Sequence, residues 1–210
     1  MNPAYFLCFF SLILQSLTRL LASRKEPQLK TSAILAFSNL LHIACVDTRE
    51  REARYFTLTF HEVCQPENIE TYLSWFLSGA KSDLTHHRVF LTALGKTADL
   101  RALADLRSFA LDVSVSTYIR TVAVYSIKYH VLIHPREAST VLFSLYRNVG
   151  LPVPVRTAAV SLLFYTKPTL TAFQRIAVST WYEPIPAVAG FVRNSLQSLS
   201  SINDPVYQSM

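Results

Sequence analysis

The chain has little of what chemistry needs. Its 210 residues include four glycines, too few for a loop that cradles phosphate. No serine sits in a GxSxG elbow. After Glu137 only Glu183 and Asp204 carry carboxylates, whereas paired acid–base catalysis needs two held close together. The three cysteines, Cys8, Cys45 and Cys64, form no CxxC, which excludes a zinc ribbon or a thioredoxin-like motif in its usual form. His86–His87 and the pair His130 and His134 are the only metal-like spacings. His130 and His134 are four apart and share a helix face, but Val131, Leu132 and Ile133 fill the gap, so no HExxH motif exists. The helix dipole favours a histidine near a helix C-terminus without any metal. We therefore expect no catalytic residue, no metal and no cofactor. An N-x-S/T sequon is also missing, so glycosylation gives no support for export.

Charge is scarce as well. Charged residues make up 16% of the chain, against about 25% in ordinary soluble domains. Half of it is hydrophobic and the mean hydropathy is +0.25. Some apolar surface is thus expected to meet lipid, another domain or a partner chain. The net charge of +6 does not point to nucleic acid, because the basic residues are scattered and no Gly-rich basic arm exists. The densest run, Arg49–Arg54, is diluted by two glutamates. The bland reading of that run is a solvated helix start or loop, and an intermediate one is a basic patch facing an acidic partner or anionic lipid head groups.

What the chain does have is a recurring helical unit between about Leu84 and Leu199. HHRVFLTALG from His86, TYIRTVAVYS from Thr117, PVRTAAVSLL from Pro154 and AVAGFVRNSL from Ala187 share one outline. Arg88, Arg120 and Arg156 recur at spacings of 32 and 36 residues, the range of helix-pair repeats whose units bury their apolar faces only by stacking. In the third unit Val155, Ala158, Ala159, Leu162 and Leu163 follow i, i+3, i+4, i+7, i+8, a helical stripe wide enough for two neighbours.

The fold class expected is all-α, a right-handed α-α superhelix of stacked, HEAT-like helix pairs. Helices are expected over Tyr5–Ser23, Gln28–Cys45, Ile69–Ala80, Asp83–Thr97, Asp99–Leu111, Ser116–Leu132, Arg136–Val149, Val153–Tyr165, Leu170–Thr180 and Ile185–Ser200. Pro27, Pro66, Gly95, Pro135, Pro152, Pro168 and Pro184 fall at or near these boundaries. Asp83, Ser116 and Thr169 are candidate N-caps. The β-branched residues around Val113–Val124 and Val131–Ile133 leave room for a short strand there. Asp47–Cys64 alternates weakly and reads as a loop or hairpin. Residues 1–27 form an apolar N-terminal helix or a signal-like segment. No basic residue precedes the run, and Leu17, Leu20 and Leu21 extend it at helical spacing, which favours the helix. Residues 28–201 make the helical domain and residues 202–210 a frayed tail. On spacing alone, Cys45 and Cys64 are either bridged or two buried free thiols.

The ordered series VSTYIRTVAVYSIKYHVLIHPREASTVLFSLYRN (Val115–Asn148), VRTAAVSLLFYTKPTLTAFQRIAVSTWYEP (Val155–Pro184) and VRNSLQSLSS (Val192–Ser201) resembles the helical superhelix domain of the vitellogenin and lipovitellin family of large lipid transfer proteins. ALGKTADLRAL (Ala93–Leu103) looks like that family's turn between repeats, and SAILAFSNLLHIAC (Ser32–Cys45) followed by Cys64 is similar to its cysteine-flanked crossing. The resemblance covers Ser32–Ser201. It implies a disulfide between Cys45 and Cys64, secretion, and a role in lipid transport and yolk nutrient storage by passive apolar binding, with lipid as cargo rather than cofactor. The partners it implies are lipid and the β-sheet domains of a full-length lipid transfer protein, or a second chain as in a homodimer. Phe143, Tyr146, Phe164, Phe173, Trp181 and Phe191 become candidates to face lipid or sheet; the same rings also read as helix–helix core. The contrasting reading is an intracellular helical-repeat scaffold that binds a protein and keeps its cysteines reduced.

Overall fold

The computed structural model describes residues 27–46 and 64–201. Among them ten helices and no strand are found. The helix expected over Tyr5–Ser23, the loop or hairpin over Asp47–Cys64 and the tail fall wholly or almost wholly outside the described residues. The chain divides into two compact units, Met1–Asp105 and Leu106–Met210.

In the first unit, α1 (Pro27–Cys45) and α2 (Pro66–Ser82) both pack on α3 (His87–Lys96). Helix α1 buries Ala33, Ile34, Phe37, Leu41 and Ala44, and α2 buries Leu73, Phe76 and Ala80. Both sets keep helical spacing, so each helix offers one stripe. Helix α3 lies between the two and buries most of its circumference, including His87, Val89, Phe90, Leu91 and Leu94. Rings fill the junction: Phe37 meets Tyr72 edge-on at 5.1 Å and Trp75 meets Phe90 at 5.4 Å. Gly79 on α2 gives Phe90 its room, because a Cβ there would lie 2.4 Å from the Phe90 ring.

Polar bonds lock this packing at both ends. Lys30 Nζ donates to Asp83 Oδ2 at 2.6 Å, and Asp83 Oδ1 accepts from the His86 backbone N–H at 3.2 Å. Asp83 was the expected cap of this helix; it serves the turn instead, and α3 begins at His87. At the other end His42 Nδ1 lies 2.8 Å from the Lys96 carbonyl. Cys45 and Cys64 are joined by a disulfide, so the end of α1 is tied to the start of α2. Gly95 lies one residue before the end of α3 at Lys96, near the boundary expected for it. It is buried inside the helix, and the chain leaves through Ala98 with φ 50, the left-handed conformation usual after a helix end.

Helix α4 (Leu100–Leu111) carries the division between the units. The second unit continues with α5 (Thr117–Ser126), α6 (Lys128–Ile133), α7 (Pro135–Arg147), α8 (Val153–Tyr165), α9 (Leu170–Ser179) and α10 (Pro186–Ser200). No strand interrupts the β-branched stretches. The single helix expected over Ser116–Leu132 is two, broken where Ile127 N–H bonds back only three residues to Val124. Ser116 and Thr169 cap α5 and α9 as expected, each accepting an N–H at 3.3 Å. Pro135 and Pro186 stand at the first helical position, where a missing N–H costs nothing and a fixed φ helps.

Helix α8 is the centre of this unit and packs against α5, α7 and α10. It is coated with Val155, Ala158, Ala159, Val160, Leu162 and Leu163, all buried. A helix apolar nearly all round is a helix with neighbours nearly all round. Its small alanines let those neighbours come close.

Candidate functional site

Two of the three recurring arginines do the same job. Arg120 on α5 and Arg156 on α8 are both buried. Each donates Nε to a carbonyl ten positions earlier, Ala110 at 3.0 Å and Tyr146 at 2.8 Å. Those carbonyls lie in the last turns of α4 and α7, where four acceptors have no partner within the helix. The repeat thus carries its own cap, one helix satisfying the end of the one before it. Arg88, the third member of the series, is exposed on α3. The sequence marked these arginines as a series but did not reveal the bond; the ten-residue step back to a helix end is the signal that would have found it.

The second copy is completed by a carboxylate. Arg156 Nη1 and Nη2 reach Glu183 Oε1 and Oε2 at 2.8 and 2.5 Å, and hydrogen bonds from Arg156 hold the Glu183 carboxyl below its ordinary range against the opposing effect of burial. The position 36 residues before Glu183 is Arg147, so the repeat supplies no carboxylate at the equivalent place in the first copy. Arg120 Nη2 is buried without a hydrogen bond among the described residues.

The six candidate rings separate. Tyr146 is 1% exposed; its hydroxyl lies 2.5 Å from Ser179 Oγ, which itself donates to the Ile176 carbonyl. With Arg156 over its ring at 5.8 Å, Tyr146 is a core residue joining α7, α8 and α9 and does not face a ligand. Phe143 is half-buried on α7. Phe164 and Phe173 are half-buried and stacked at 5.9 Å between α8 and α9. Phe191 on α10 is exposed, and Trp181, just past α9, is 80% exposed. Tyr165, Leu170, Val178 and Tyr182 share that exposure. A second exposed line runs along α5 and α6 through Tyr118, Tyr125 and Leu132, seven residues apart. Sequence reasoning missed it because the inner stripe of the same helices is equally apolar.

No group of three or more His, Cys, Asp or Glu able to hold a metal occurs among the described residues. His130 is buried on α6, and His134 follows its last residue. No described helix is long and apolar enough to cross a membrane. What the surface offers is apolar area with amphipathic rings at its edge.

The family model described as the vitellogenin TPR domain matches residues 11–197, nearly the whole chain. The chain belongs to that family. Vitellogenin-2 of Periplaneta americana is 31% identical over 86% of this chain and 10% of its own length. Vitellogenin of Bombyx mori is 25% identical over 88% of this chain and 11% of its own. The hemolymph clottable protein of Penaeus monodon is 28% identical over 80% of this chain and 10% of its own. The chain therefore spans about a tenth of the length of these relatives. A solved structure of lipid–protein interactions in lipovitellin superposes with a TM-score of 0.70 at 19% identity, over 88% of this chain and 18% of that one. At that identity the likeness shows the fold. The resemblance over Ser32–Ser201 and the all-α reading are both correct, and the expected Cys45–Cys64 bridge is present.

Proposed function

We propose that this chain is the helical part of a secreted lipid-transport and yolk-storage protein, and that it acts by offering apolar surface rather than by catalysis. The observation that carries the reading is the exposed line of rings and aliphatic side chains in the second unit, on a chain of the vitellogenin TPR domain family. A helical unit with a filled core has no folding reason to expose Trp181, Tyr182, Leu170 and Val178 together. Covering such area yields about 25 cal/mol per Å², without making or breaking a covalent bond.

Lipid is the cargo in this reading, with Phe143, Phe164, Phe173, Trp181 and Phe191 as the residues that meet it or meet the sheet domains of a longer polypeptide. A second copy of the chain is the other polypeptide partner this surface suits. The disulfide supports secretion, since such bonds persist in oxidising compartments and are rare in the cytosol. It weighs against an intracellular scaffold. The relatives' tenfold greater length supports a role as one part of a larger assembly.

A phospholipid carrying a photoactivatable diazirine on its acyl chain tests this directly. After irradiation, adducts are expected on peptides containing Phe143, Phe164, Phe173, Trp181 and Phe191, and not on the buried Tyr146 side chain itself. A chain that takes no label in the second unit overturns the reading.

A further inference from the structure

We infer that Arg120 anchors a docking site for an acidic segment of another polypeptide, whose carboxylate takes the place that Glu183 fills beside Arg156. The inference does not depend on lipid being the cargo.

The two arginine caps are alike up to their last bonds. Both side chains are buried, and both donate Nε to a helix-end carbonyl. Arg156 then places Nη1 and Nη2 on the two oxygens of Glu183. Arg120 has Nη2 buried without a hydrogen bond among the described residues, and it joins no ion pair there. A guanidinium keeps its charge, so the first copy encloses a cation whose fork is open. A buried donor left without a partner costs more than a made bond yields, and native chains keep few of them.

The acids of this chain do not answer it. Asp112 has a lowered pKa, chiefly through hydrogen bonding to Ser114, with the charge of Arg120 a smaller cause. Its Oδ1 accepts the Ser114 N–H at 2.8 Å, and it makes no bond to Arg120. Glu183 is closed off by Arg156, so a second copy of the chain is a poor source of the missing carboxylate.

The approach to the fork runs along the turn between α4 and α5. Thr117 stands three residues before Arg120, on the same helix face, and long helical side chains lean toward the N-terminus. Thr117, Ser116 and Val113 are all exposed. A carboxylate matches a guanidinium fork with two parallel bonds, and enclosed arginines are frequent anchors of interfaces. The second copy shows the form of the occupant. Glu183 precedes a proline, its Oε1 also accepts the Ile185 N–H at 3.2 Å, and Ile185 is extended. A glutamate in a short extended turn is therefore the expected ligand. The net charge of +6 favours encounter with an acidic segment.

The test is a titration of the 210-residue chain, carrying isotope-labelled arginine, followed at the Arg120 Nε–H resonance. The probes are the end-blocked peptide TWYEPIPA (Thr180–Ala187), the same peptide with Glu183→Gln, and sodium acetate. The glutamate peptide should shift the resonance, and Glu183→Gln should weaken binding about tenfold. Acetate, without the turn, should need a roughly tenfold higher concentration. Replacing Arg120 would also uncap α4, so Thr117→Glu is the informative variant. It suits the first turn of a helix and offers Arg120 a carboxylate three residues away. It should abolish the shift and leave thermal unfolding unchanged or raised. Equal affinity for the two peptides removes the carboxylate from the account and overturns the inference. Equal affinity for acetate and the glutamate peptide makes this a small-anion site and overturns the polypeptide partner. An unmoved Arg120 resonance, or binding that survives Thr117→Glu, overturns the site itself.

Discussion

Arg156 and Glu183, 27 positions apart, close a buried two-pronged pair that ties α8 to the turn before α10. The same guanidinium caps α7 through the Tyr146 carbonyl, and Glu183 Oε1 also accepts the Ile185 N–H at 3.2 Å. One pair thus holds three helices of the second unit. Burying both charges has a desolvation cost, so the pair's net value is small compared with the cost of removing one partner. Glu183→Ala should destabilise the chain by about 3 kcal/mol, read from urea unfolding. Replacing both residues with apolar ones of similar volume should cost less than either single change. Equal losses for Glu183→Ala and an exposed control such as Glu137→Ala would remove the pair from its central place.

Asp83 sets the acid limit of the first unit. Burial alone would raise its pKa, but hydrogen bonds from Lys30 and His86 outweigh that and lower it to about 2. A carboxylate depressed in the folded state stabilises above its unfolded pKa and loses that contribution as pH falls through the folded value. Stability supplied by Asp83 should therefore be full above about pH 4 and be lost toward pH 2. Asp83→Asn should flatten this part of a stability–pH curve measured by denaturant unfolding. An unchanged slope would mean that Asp83 does not titrate as a bonded group.

The Cys45–Cys64 bridge spans 19 positions. A loop of that length restricts the unfolded chain by about 3 kcal/mol. Cys64→Ser, or reduction, should lower stability by about that amount and loosen the end of α1 from the start of α2. Hydrogen exchange resolved by peptide should show the loss concentrated in the first unit. Uniform loss across both units would contradict it.

Gly79→Ala brings opposed effects. Alanine favours a helix by about 1 kcal/mol over glycine, yet its Cβ would meet the Phe90 ring at 2.4 Å. Phe90 is buried against Trp75 and has little room to move, so overpacking of about 1–3 kcal/mol should win. A net loss is expected in thermal unfolding, recovered by Phe90→Leu in the same chain. A gain in stability would show that α2 and α3 part more easily than their packing implies.

Much of this fold is written in local pattern. The Val155–Leu163 stripe and the prolines around it mark α8 to the residue, because helix limits and apolar spacing are short-range properties. The break at Ile127 is hidden, since neither glycine nor proline marks it. Gly95 marks the end of α3 to within one residue, but the left-handed turn itself falls on Ala98. Long-range partners are least legible. Tyr146 reads as a surface candidate until Ser179, 33 positions on, takes its hydroxyl, and Lys30 meets Asp83 across 53 positions. Composition foretold unpartnered apolar surface, but only the packed helices separate the exposed Trp181 from the buried Tyr146.

Native mass spectrometry of the purified chain, before and after solvent extraction, tests the central claim most directly. The account predicts a mass excess in the native chain that extraction removes and that analysis identifies as phospholipid or neutral lipid. A native chain with the mass of its polypeptide alone, as monomer or oligomer, would contradict lipid carriage by these 210 residues and favour a scaffold that binds protein.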